Sequence, residues 1–286
     1  MPASQPYTVA CSGGLVKSTN AIDLLKTPGV AQELRNFEVS IEGGYRRING
    51  FSQFGSAKVT GSTTNILGVI PYADGVIACA STGIFFSQDG NSWLNVSRSS
   101  VAGSGDDHTA FTGRSALART GQGQISFALY EAATDDYGTI VIADGANKPY
   151  AFRMEGTGAN INTRTFFGAE ITVNSTKHVT HVTIHDNHLI AAGVEDNLNT
   201  VYYSVNNDID DFSSSGSGAI VISDQIVGIR GFREDLFIFC ENSIYKLINI
   251  NNTSTIAVVP VAENVGCMSG YSIQEIGGDL IFLAPD

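Results

Sequence analysis

Residues 65–88, NILGVIPYADGVIACASTGIFFSQ, contain the pattern that decides the fold. An apolar run leads to a tight turn at Ala73 and Asp74, and a second apolar run leads to a third one that contains two phenylalanines. β-Branched and aromatic residues favour strands, and a two-residue polar turn between two such runs is typical of a β-hairpin. The stretch therefore predicts three short antiparallel strands.

The same pattern of apolar runs and tight turns recurs along the chain. Later copies end at Met154, Val205 and Ile248, and a fifth begins at Tyr271. The residues that open the second run are Gly75, Gly138, His188, Asp235 and Asp279. They recur about every 45 to 65 residues, close to the period of β-propeller blades, which are small sheets that bury their faces by stacking on neighbours. The repeats therefore favour a β-propeller over a plain β-sandwich, the competing architecture.

We predict an all-β, β-propeller-like domain over residues 61–286, after an N-terminal docking arm over residues 1–60 that contains a short helix and a β-hairpin. The blades are predicted near residues 65–97, 124–155, 179–213, 225–258 and 271–286. The Gly- and Ser-rich residues 97–123 are predicted as an inserted loop. Five copies are few for a propeller, so we expect the remaining blades to lie in a segment absent from this sequence or in another part of an assembly.

The composition excludes several classes of protein. Apolar residues make up 43% of the chain and charged residues 15%, which argues against a disordered tail, a coiled coil or a charge-rich helical bundle. There are 16 Lys and Arg against 28 Asp and Glu, so the net charge is −12. Affinity for nucleic acid comes mainly from basic side chains, and the chain is therefore a poor candidate for holding DNA. No apolar run approaches the roughly 20 residues of a membrane span, and we expect a soluble chain without a secretion signal.

Four of the five histidines, His178, His181, His185 and His188, lie within eleven residues. Such spacing would converge on a metal if the segment were helical, but the residues between them are β-branched and predict a strand. Side chains alternate along a strand, so we expect His181 and His185 to share a face and His178 and His188 to point away from it. His181 and His185 are therefore only weak metal candidates, at an inter-subunit site if anywhere, and no metal or other cofactor is expected.

The segment around Asp89, Gly90 and Trp93 resembles the Asp-box turn of sialidase-type propellers, one residue shorter than usual. In that family the box is a structural hairpin, and the resemblance implies a structural turn here. No nucleophile elbow, phosphate loop or dinucleotide fingerprint is present, and no motif nominates an arginine triad for a sialidase. We therefore expect that the protein is not an enzyme.

Residues 11–54 contain the most specific sequence motif of the chain. Pro28 to Asn36 predicts a short helix, residues 37–41 alternate as a strand, and Gly43-Gly44 predicts a reversal into a returning strand that begins at Tyr45. The adjacent Arg46 and Arg47 should point to opposite faces of that strand, so that one pairs with a carboxylate while the other reaches outward. Two solvated strand charges are an equally good interpretation.

These residues resemble the opening of virion proteins of tailed bacteriophages, the tail-tube nozzle and packaged-DNA stabilisation proteins of short-tailed phages. The matched residues are Gly13, Gly14, Leu15, Pro28, Gly29, Leu34, Asn36, Phe37, Glu38, Gly43, Gly44, Tyr45, Arg46, Arg47, Gly50 and Phe51. The phrases VYYSVNNDIDDF and GGDLIFLAPD are also similar to those proteins. The resemblance implies a propeller platform in a homo-oligomeric ring below the portal, around the DNA exit channel.

We therefore expect a structural protein of the tail nozzle or hub, made in the host cytoplasm and located in the virion tail. Its partners would be portal or adaptor proteins and tail fibres, and packaged DNA would pass without sequence-specific binding. Tyr45, Arg46, Arg47 and Phe51 are the expected interface residues. The alternatives are a propeller that binds or cleaves glycans as a receptor-binding protein, and a cellular propeller that serves only as an interaction scaffold.

Overall fold

The computed structural model describes residues 29–31, 33, 35–39, 45–48, 50, 52–59, 65–98, 105–117, 119, 123–132, 135–157, 160–175, 178–276 and 278–285. The chain divides into two compact units, Met1–Phe54 and Gly55–Asp286, a few residues before the boundary predicted after residue 60. In the first unit, β1 (Phe37–Val39) and β2 (Tyr45–Arg47) form an antiparallel pair. The hairpin predicted for the arm is therefore present.

The helix predicted over residues 28–36 is not found in the described residues of that stretch. Residues 29–31, 33, 35 and 36 form a turn, a bridge and a bend. Gly29 has a φ of 88° and Asn36 a φ of 60°, whereas a right-handed helix requires negative φ values. The Pro-Gly pair that suggests a helix start thus leads into left-handed backbone instead.

Over its described residues, the second unit consists of five antiparallel sheets that follow one another along the chain. The first sheet contains, in order, β3 (Ile66–Tyr72), β4 (Gly75–Ala80), β5 (Gly83–Ser87) and β6 (Leu94–Asn95). The third contains β12 (Val179–His185), β13 (His188–Val194), β14 (Thr200–Tyr203) and β15 (Gly218–Val221). The fourth contains β16 (Ile226–Phe232), β17 (Asp235–Cys240), β18 (Ser243–Ile248) and β19 (Ala257–Glu263).

The second and fifth sheets depart from this four-stranded plan. The second has the spatial order β7 (Asp106–Asp107), β11 (Thr165–Glu170), β10 (Tyr150–Glu155), β9 (Thr139–Ala143) and β8 (Ser126–Tyr130). The fifth pairs β20 (Gln274–Ile276) with β21 (Asp279–Ile281). The described helices are α1 (His108–Gly113) and the 3₁₀ turns Ile161–Thr163 and Gly270–Ser272.

Four apolar cores join each sheet to the next. Successive side chains of the second strand of a sheet face its two neighbouring sheets in turn. In β9, Ile142 belongs to the core shared with the first sheet and Val141 to the core shared with the third. In β17, Ile238 faces the third sheet and Phe239 faces the fifth. Burial on both faces is why these second strands read as continuous apolar runs. Sheets that stack in chain order through such cores are propeller-like, and this part of the prediction is confirmed.

The strand registers correct the repeat alignment in the second sheet. The first hairpin of each sheet is closed by Gly75, Thr139, His188, Asp235 or Asp279. The equivalent of Gly75 is therefore Thr139 and not Gly138, which has a φ of 73° at the end of a longer loop. A slip of one residue matters because it exchanges the two faces of a strand.

Residues 97–123, predicted as an inserted loop, contain β7 and α1. Asp107 caps the helix by accepting a hydrogen bond from the Ala110 backbone at 2.8 Å. Phe111 is fully buried in the first core, where its ring stacks on that of Phe166 at 5.6 Å. One aromatic side chain thus ties the segment to the sheets, which its Gly- and Ser-rich composition did not indicate.

In the second, third and fourth sheets, the last strand along the chain lies wholly or partly beyond the predicted end of the blade. β11 follows residue 155, β15 follows residue 213, and β19 continues past residue 258. Two of these strands, β15 and β19, contain only half-buried and exposed positions, so they lack the burial on both faces that marks the second strands.

Candidate interaction surfaces

The N-terminal hairpin contains three of the four expected interface residues. In β2, Tyr45 lies opposite Val39, Arg46 opposite Glu38, and Arg47 opposite Phe37. The Arg47 side chain is exposed, as is that of Phe37. Phe51 lies outside the described residues. The hairpin thus offers an exposed cation beside an exposed aromatic ring, a pairing common at protein interfaces.

The Asp89 turn is held by its own side chain. The Asp89 carboxylate accepts hydrogen bonds from the backbone of Asn91 at 2.8 Å and of Ser92 at 3.3 Å. These bonds hold the pKa of Asp89 below its usual value. Gly90 supplies a φ of 71°, and the Trp93 indole donates a hydrogen bond to the Ala57 carbonyl at 3.3 Å. The contacts of Asp89 and Trp93 lie within the fold, as in a structural turn.

The register places three histidines on one face, and the prediction for His188 is wrong. His185 and His188 are opposite each other where β12 turns into β13, and directly opposed residues share a face. His181 lies on the same face, but four residues along a strand span about 13 Å. Each ring nitrogen must come within about 2 Å of a bound metal, so His181 and His185 would share an ion only with both rings leaning towards each other.

Each of these histidines has a different setting. His181 is 9% exposed and lies against the Tyr271 ring at 5.7 Å, and burial lowers its pKa to about 4. Burial also lowers the pKa of His185, although the Asp186 and Asp235 carboxylates oppose the shift. The His188 ring contacts the Ser204 carbonyl at 2.6 Å and the Asn251 side-chain oxygen at 3.0 Å. Over the residues that the structure describes, no group of three His, Cys, Asp or Glu side chains could hold a metal ion.

A buried arginine links the first two sheets. Arg164 is 1% exposed, and its two terminal nitrogens lie 2.7 and 2.6 Å from the Asp74 carboxylate oxygens. This two-pronged contact holds the pKa of Asp74 below its usual value. An arginine that deep needs a partner because an unpaired buried charge is strongly destabilising, so the pair serves the fold.

A cleft of about 800 Å³ lies between the second and third sheets. Its walls combine aromatic rings with charges: Tyr130, Asp135, Lys148, Arg153, Phe167, Glu170, Asp208 and Asp210. The Arg153 guanidinium lies 4.3 Å from the centre of the Phe167 ring. It is also 3.5 Å from the Asp135 carboxylate and 3.1 Å from that of Glu155, so this arginine of the cleft is already paired.

At the rim of this cleft, Asp208 has a pKa above the usual value of an aspartate. A hydrogen bond with Asp210, together with burial, raises the pKa of Asp208 to about 6. The next carboxylate behaves oppositely, because hydrogen bonds from Ser213 and Ser214 lower the pKa of Asp211. The rim therefore gains negative charge as the pH rises through 6, which makes it a polar surface whose charge depends on pH.

The fifth sheet leaves apolar side chains uncovered. Leu280 and Phe282 pack towards the fourth sheet, in a core with Phe239. Ile276, Ile281 and Leu283, called the open face below, are 60%, 51% and 57% exposed. Contiguous exposed apolar residues are a mark of interaction sites.

No family model and no curated protein matches the chain. Among solved structures it is similar to the Pan2 WD40 domain of Neurospora crassa, with 9% identity and a TM-score of 0.40 over 70% of this chain and 52% of that one. It is similar to BBS1N, in a complex with ARL6DN, with 9% identity and a TM-score of 0.39 over 70% and 54%. It is also similar to apo AztD from Citrobacter koseri, with 8% identity and a TM-score of 0.38 over 72% and 62%.

The chain thus spans between about half and three-fifths of these structures. Identities below a tenth and TM-scores at or below 0.40 say nothing about function. Within the described part of the chain, no helix combines the length and the apolar character needed to cross a bilayer.

The cleft and the open face are absent from the sequence-based predictions. Asp208, Asp210 and Asp211 form a visible acidic run after β14, but such a run in a sequence indicates only a polar turn. Arg153 and Phe167 had no local signal, because they lie on opposite strands and meet only through pairing of β10 with β11. The open face had a signal in Ile281 and Leu283, which occupy positions that are buried in earlier repeats.

Proposed function

We propose that this protein is a non-catalytic structural component of a tailed-phage virion, most specifically of the tail nozzle or hub, in a ring around the DNA exit channel. The observation that carries the proposal is the motif GGYRRINGF at residues 43–51, followed by stacked propeller-like sheets. In this role the chain is made in the host cytoplasm and resides in the tail. Its partners are portal or adaptor proteins, tail fibres and further copies of itself.

Two physical features support this role. The net charge of −12 suits a conduit past which DNA slides, because few basic groups are available to phosphates. Four continuous apolar cores make a stiff wall, since packed interiors transmit strain rather than absorb it. The role is mechanical: the chain lines or retains the DNA path and offers docking surfaces.

Imaging of purified particles with a tag on this chain tests the proposal. We expect label at the tail, at the vertex where DNA leaves. Label over the capsid shell contradicts a tail role, and absence of label from particles leaves the cellular scaffold as the better description.

The N-terminal hairpin is the proposed docking element. The double variant Arg46→Ala/Arg47→Ala should reduce the yield of tailed particles about ten-fold or more, because interface arginines are frequent hot spots. The control is Lys58→Ala, a single exposed cation removed outside the hairpin. Far-UV circular dichroism of the isolated variant should match the parent chain, and normal tail assembly by the double variant removes the hairpin from the interface.

A glycan-binding or glycan-cleaving receptor-binding protein is the second candidate, and the cleft favours it. Aromatic rings beside carboxylates, such as Tyr130 and Phe167 beside Asp208 and Asp210, are suited to sugar faces and hydroxyl groups. A glycan array and a hydrolysis assay on the full chain separate the two functions. A wall protein should give no signal in either, and a signal that Asp208→Asn/Asp210→Asn removes supports the second candidate.

A further inference from the structure

The cleft between the second and third sheets has an aromatic floor. Four residues lie opposite one another in turn across β8, β9, β10 and β11, and so form one row on the face towards the third sheet: Tyr130, Thr139, Arg153 and Phe167. At the inner end of the row, Tyr130 belongs to the core that the two sheets share. At the outer end, Phe167 is half-buried and lines the cleft. The volume of about 800 Å³ is within the range of ligand pockets.

Carboxylates outnumber cations around this floor. The charged residues that line the cleft are Asp135, Glu170, Asp208, Asp210, Lys148 and Arg153. Four carboxylates against two cations give a net charge of −2 when all six groups are ionised. Arg153 is paired with Asp135, and Arg119, near the Lys148 carbonyl, is 2.8 Å from the Asp144 carboxylate. The cleft therefore suits a cation that is accompanied by an apolar or aromatic group.

One face of the N-terminal hairpin has the matching chemistry. Directly opposed residues of an antiparallel pair share a face, so Arg47 and Phe37 lie side by side, and both are exposed. Residues alternate between the two faces along a strand, so position 46, which lies opposite Glu38, belongs to the other face. The face of Arg47 thus combines a cation with an aromatic ring, whereas position 46 has a glutamate across from it.

Other cations of the chain are already engaged. Arg114 is paired with Asp106, and Lys246 is paired with Asp235. By contrast, Arg46-Arg47 is the only place in the sequence where two Lys or Arg residues are adjacent. The chain therefore carries, in its own hairpin, a side-chain pair that is complementary to its own cleft.

We propose that the hairpin of one copy of the chain docks into the cleft of a second copy. The Arg47 guanidinium lies at the Asp208 and Asp210 carboxylates, and the Phe37 ring packs on the floor beside Phe167. The hairpin and the cleft are different surfaces, so the contact is head-to-tail, and such contacts close into rings or extend into filaments. The inference deepens the proposed function by naming the surfaces through which copies meet, and for its place in a virion it rests on that function.

Sedimentation velocity of the full 286-residue chain over a range of concentrations tests the hairpin. The parent chain should form assemblies larger than a monomer. The variant Arg47→Glu should weaken this association about ten-fold or more, because it places a carboxylate at the acidic rim. The matched control is Arg46→Glu, the same charge change on the other face of the hairpin, and its effect should stay within about two-fold.

The cleft is tested by reversing the charge of its rim. Asp208→Lys/Asp210→Lys should abolish association, while the control Glu234→Lys/Glu241→Lys, the same change at exposed positions of the fourth sheet, should retain it. The Arg47→Glu chain keeps its cleft and the Asp208→Lys/Asp210→Lys chain keeps its hairpin. Each should be monomeric alone, and a mixture of the two should form a heterodimer and nothing larger.

Three outcomes overturn the proposal. One is a parent chain that circular dichroism shows to be folded and that stays monomeric, and a glycan signal removed by Asp208→Asn/Asp210→Asn would then make a sugar the occupant of the cleft. Another is equal weakening by Arg46→Glu and Arg47→Glu. The third is a mixture of the two variants that forms no heterodimer.

The imaging of labelled particles separates this inference from the proposed function. Label at the tail together with a monomeric parent chain would refute the hairpin contact and leave the tail role. Self-association that responds to Arg47→Glu as expected, together with particles that carry no label, would support the contact and contradict the virion role.

Discussion

His181 is an ionisable side chain buried between the third sheet and the 3₁₀ turn Gly270–Ser272. Its ring lies against Tyr271 and next to Gly270, where an added Cβ would come within 3.0 Å of the ring. Protonation would place a charge where water cannot solvate it, and burial therefore lowers the pKa to about 4. The neutral form belongs to the folded state.

This setting predicts a loss of stability on mild acidification. The unfolded chain takes up a proton on His181 below about pH 6.5, while the folded chain resists protonation down to about pH 4. The unfolded state thus binds more protons in this window, and the free energy of unfolding should fall by about 2 kcal/mol between pH 7 and pH 5 on account of this one group. Urea unfolding at both pH values measures the change.

The variant His181→Gln should remove most of that difference, and the control His178→Gln should retain it. The His178 side chain is 42% exposed with Glu195 3.6 Å away, so it lacks the buried setting of His181. An equal pH response in His181→Gln and the parent chain would show that His181 is solvated in the folded protein.

At the scale of elements, two glycines set the distance between the inner strands. Gly68 in β3 and Gly228 in β16 lie at register shifts near the start of their strands. A Cβ on Gly68 would come within 2.9 Å of the Ile125 Cβ, and one on Gly228 within 2.7 Å of the Gly270 backbone. The close approach of successive sheets therefore depends on the absence of a side chain at both positions.

Gly68→Ala and Gly228→Ala should each destabilise the protein by about 1–3 kcal/mol, because overpacking forces neighbouring backbone to move. Gly231→Ala is the matched control, since this glycine also lies in β16 and its added Cβ would meet nothing within 4 Å. Its effect should stay within about 0.5 kcal/mol. Thermal unfolding of the three variants measures these changes. Equal shifts of the melting temperature in all three would mean that the contact between sheets does not depend on Gly68 and Gly228.

At the scale of the whole molecule, charge is the dominant property. The net charge is −12, and described arginines such as Arg119 and Arg164 form ion pairs with carboxylates of the same chain. Few cations remain to displace counterions from DNA, and such displacement supplies most of non-specific affinity.

We therefore expect no complex with duplex DNA at about 10 μM protein and about 150 mM salt, conditions in which ordinary non-specific binders are partly bound. An electrophoretic mobility assay with a duplex of arbitrary sequence tests this. The parent chain with an added C-terminal hexalysine is the positive control and should shift the duplex at low salt. Retention of DNA by the parent chain would contradict a passive conduit.

Local pattern was enough to predict the inner strands, the two-residue turns and the repeated sheet. Apolar runs such as those of β4 and β13 predict their own burial, because both faces of the second strand of a sheet are covered. The prediction failed where a distant partner decides the environment. Phe111 is buried by strands of the second sheet. A single aromatic residue in a polar stretch forms no periodic pattern from which its burial could be predicted.

The same reason separates what the sequence determined about function from what the tertiary structure decided. The acidic charge and the GGYRRINGF motif are properties of the chain alone. The face of His188 depends on which residue lies opposite across a hairpin, and the cleft exists only where Arg153 meets Phe167. The exposure of Ile281 likewise depends on packing, since its counterpart Phe237 lies half-buried against the core shared by the fourth and fifth sheets. Cross-strand pairing joins residues that are far apart in the chain, so no local window of sequence contains it.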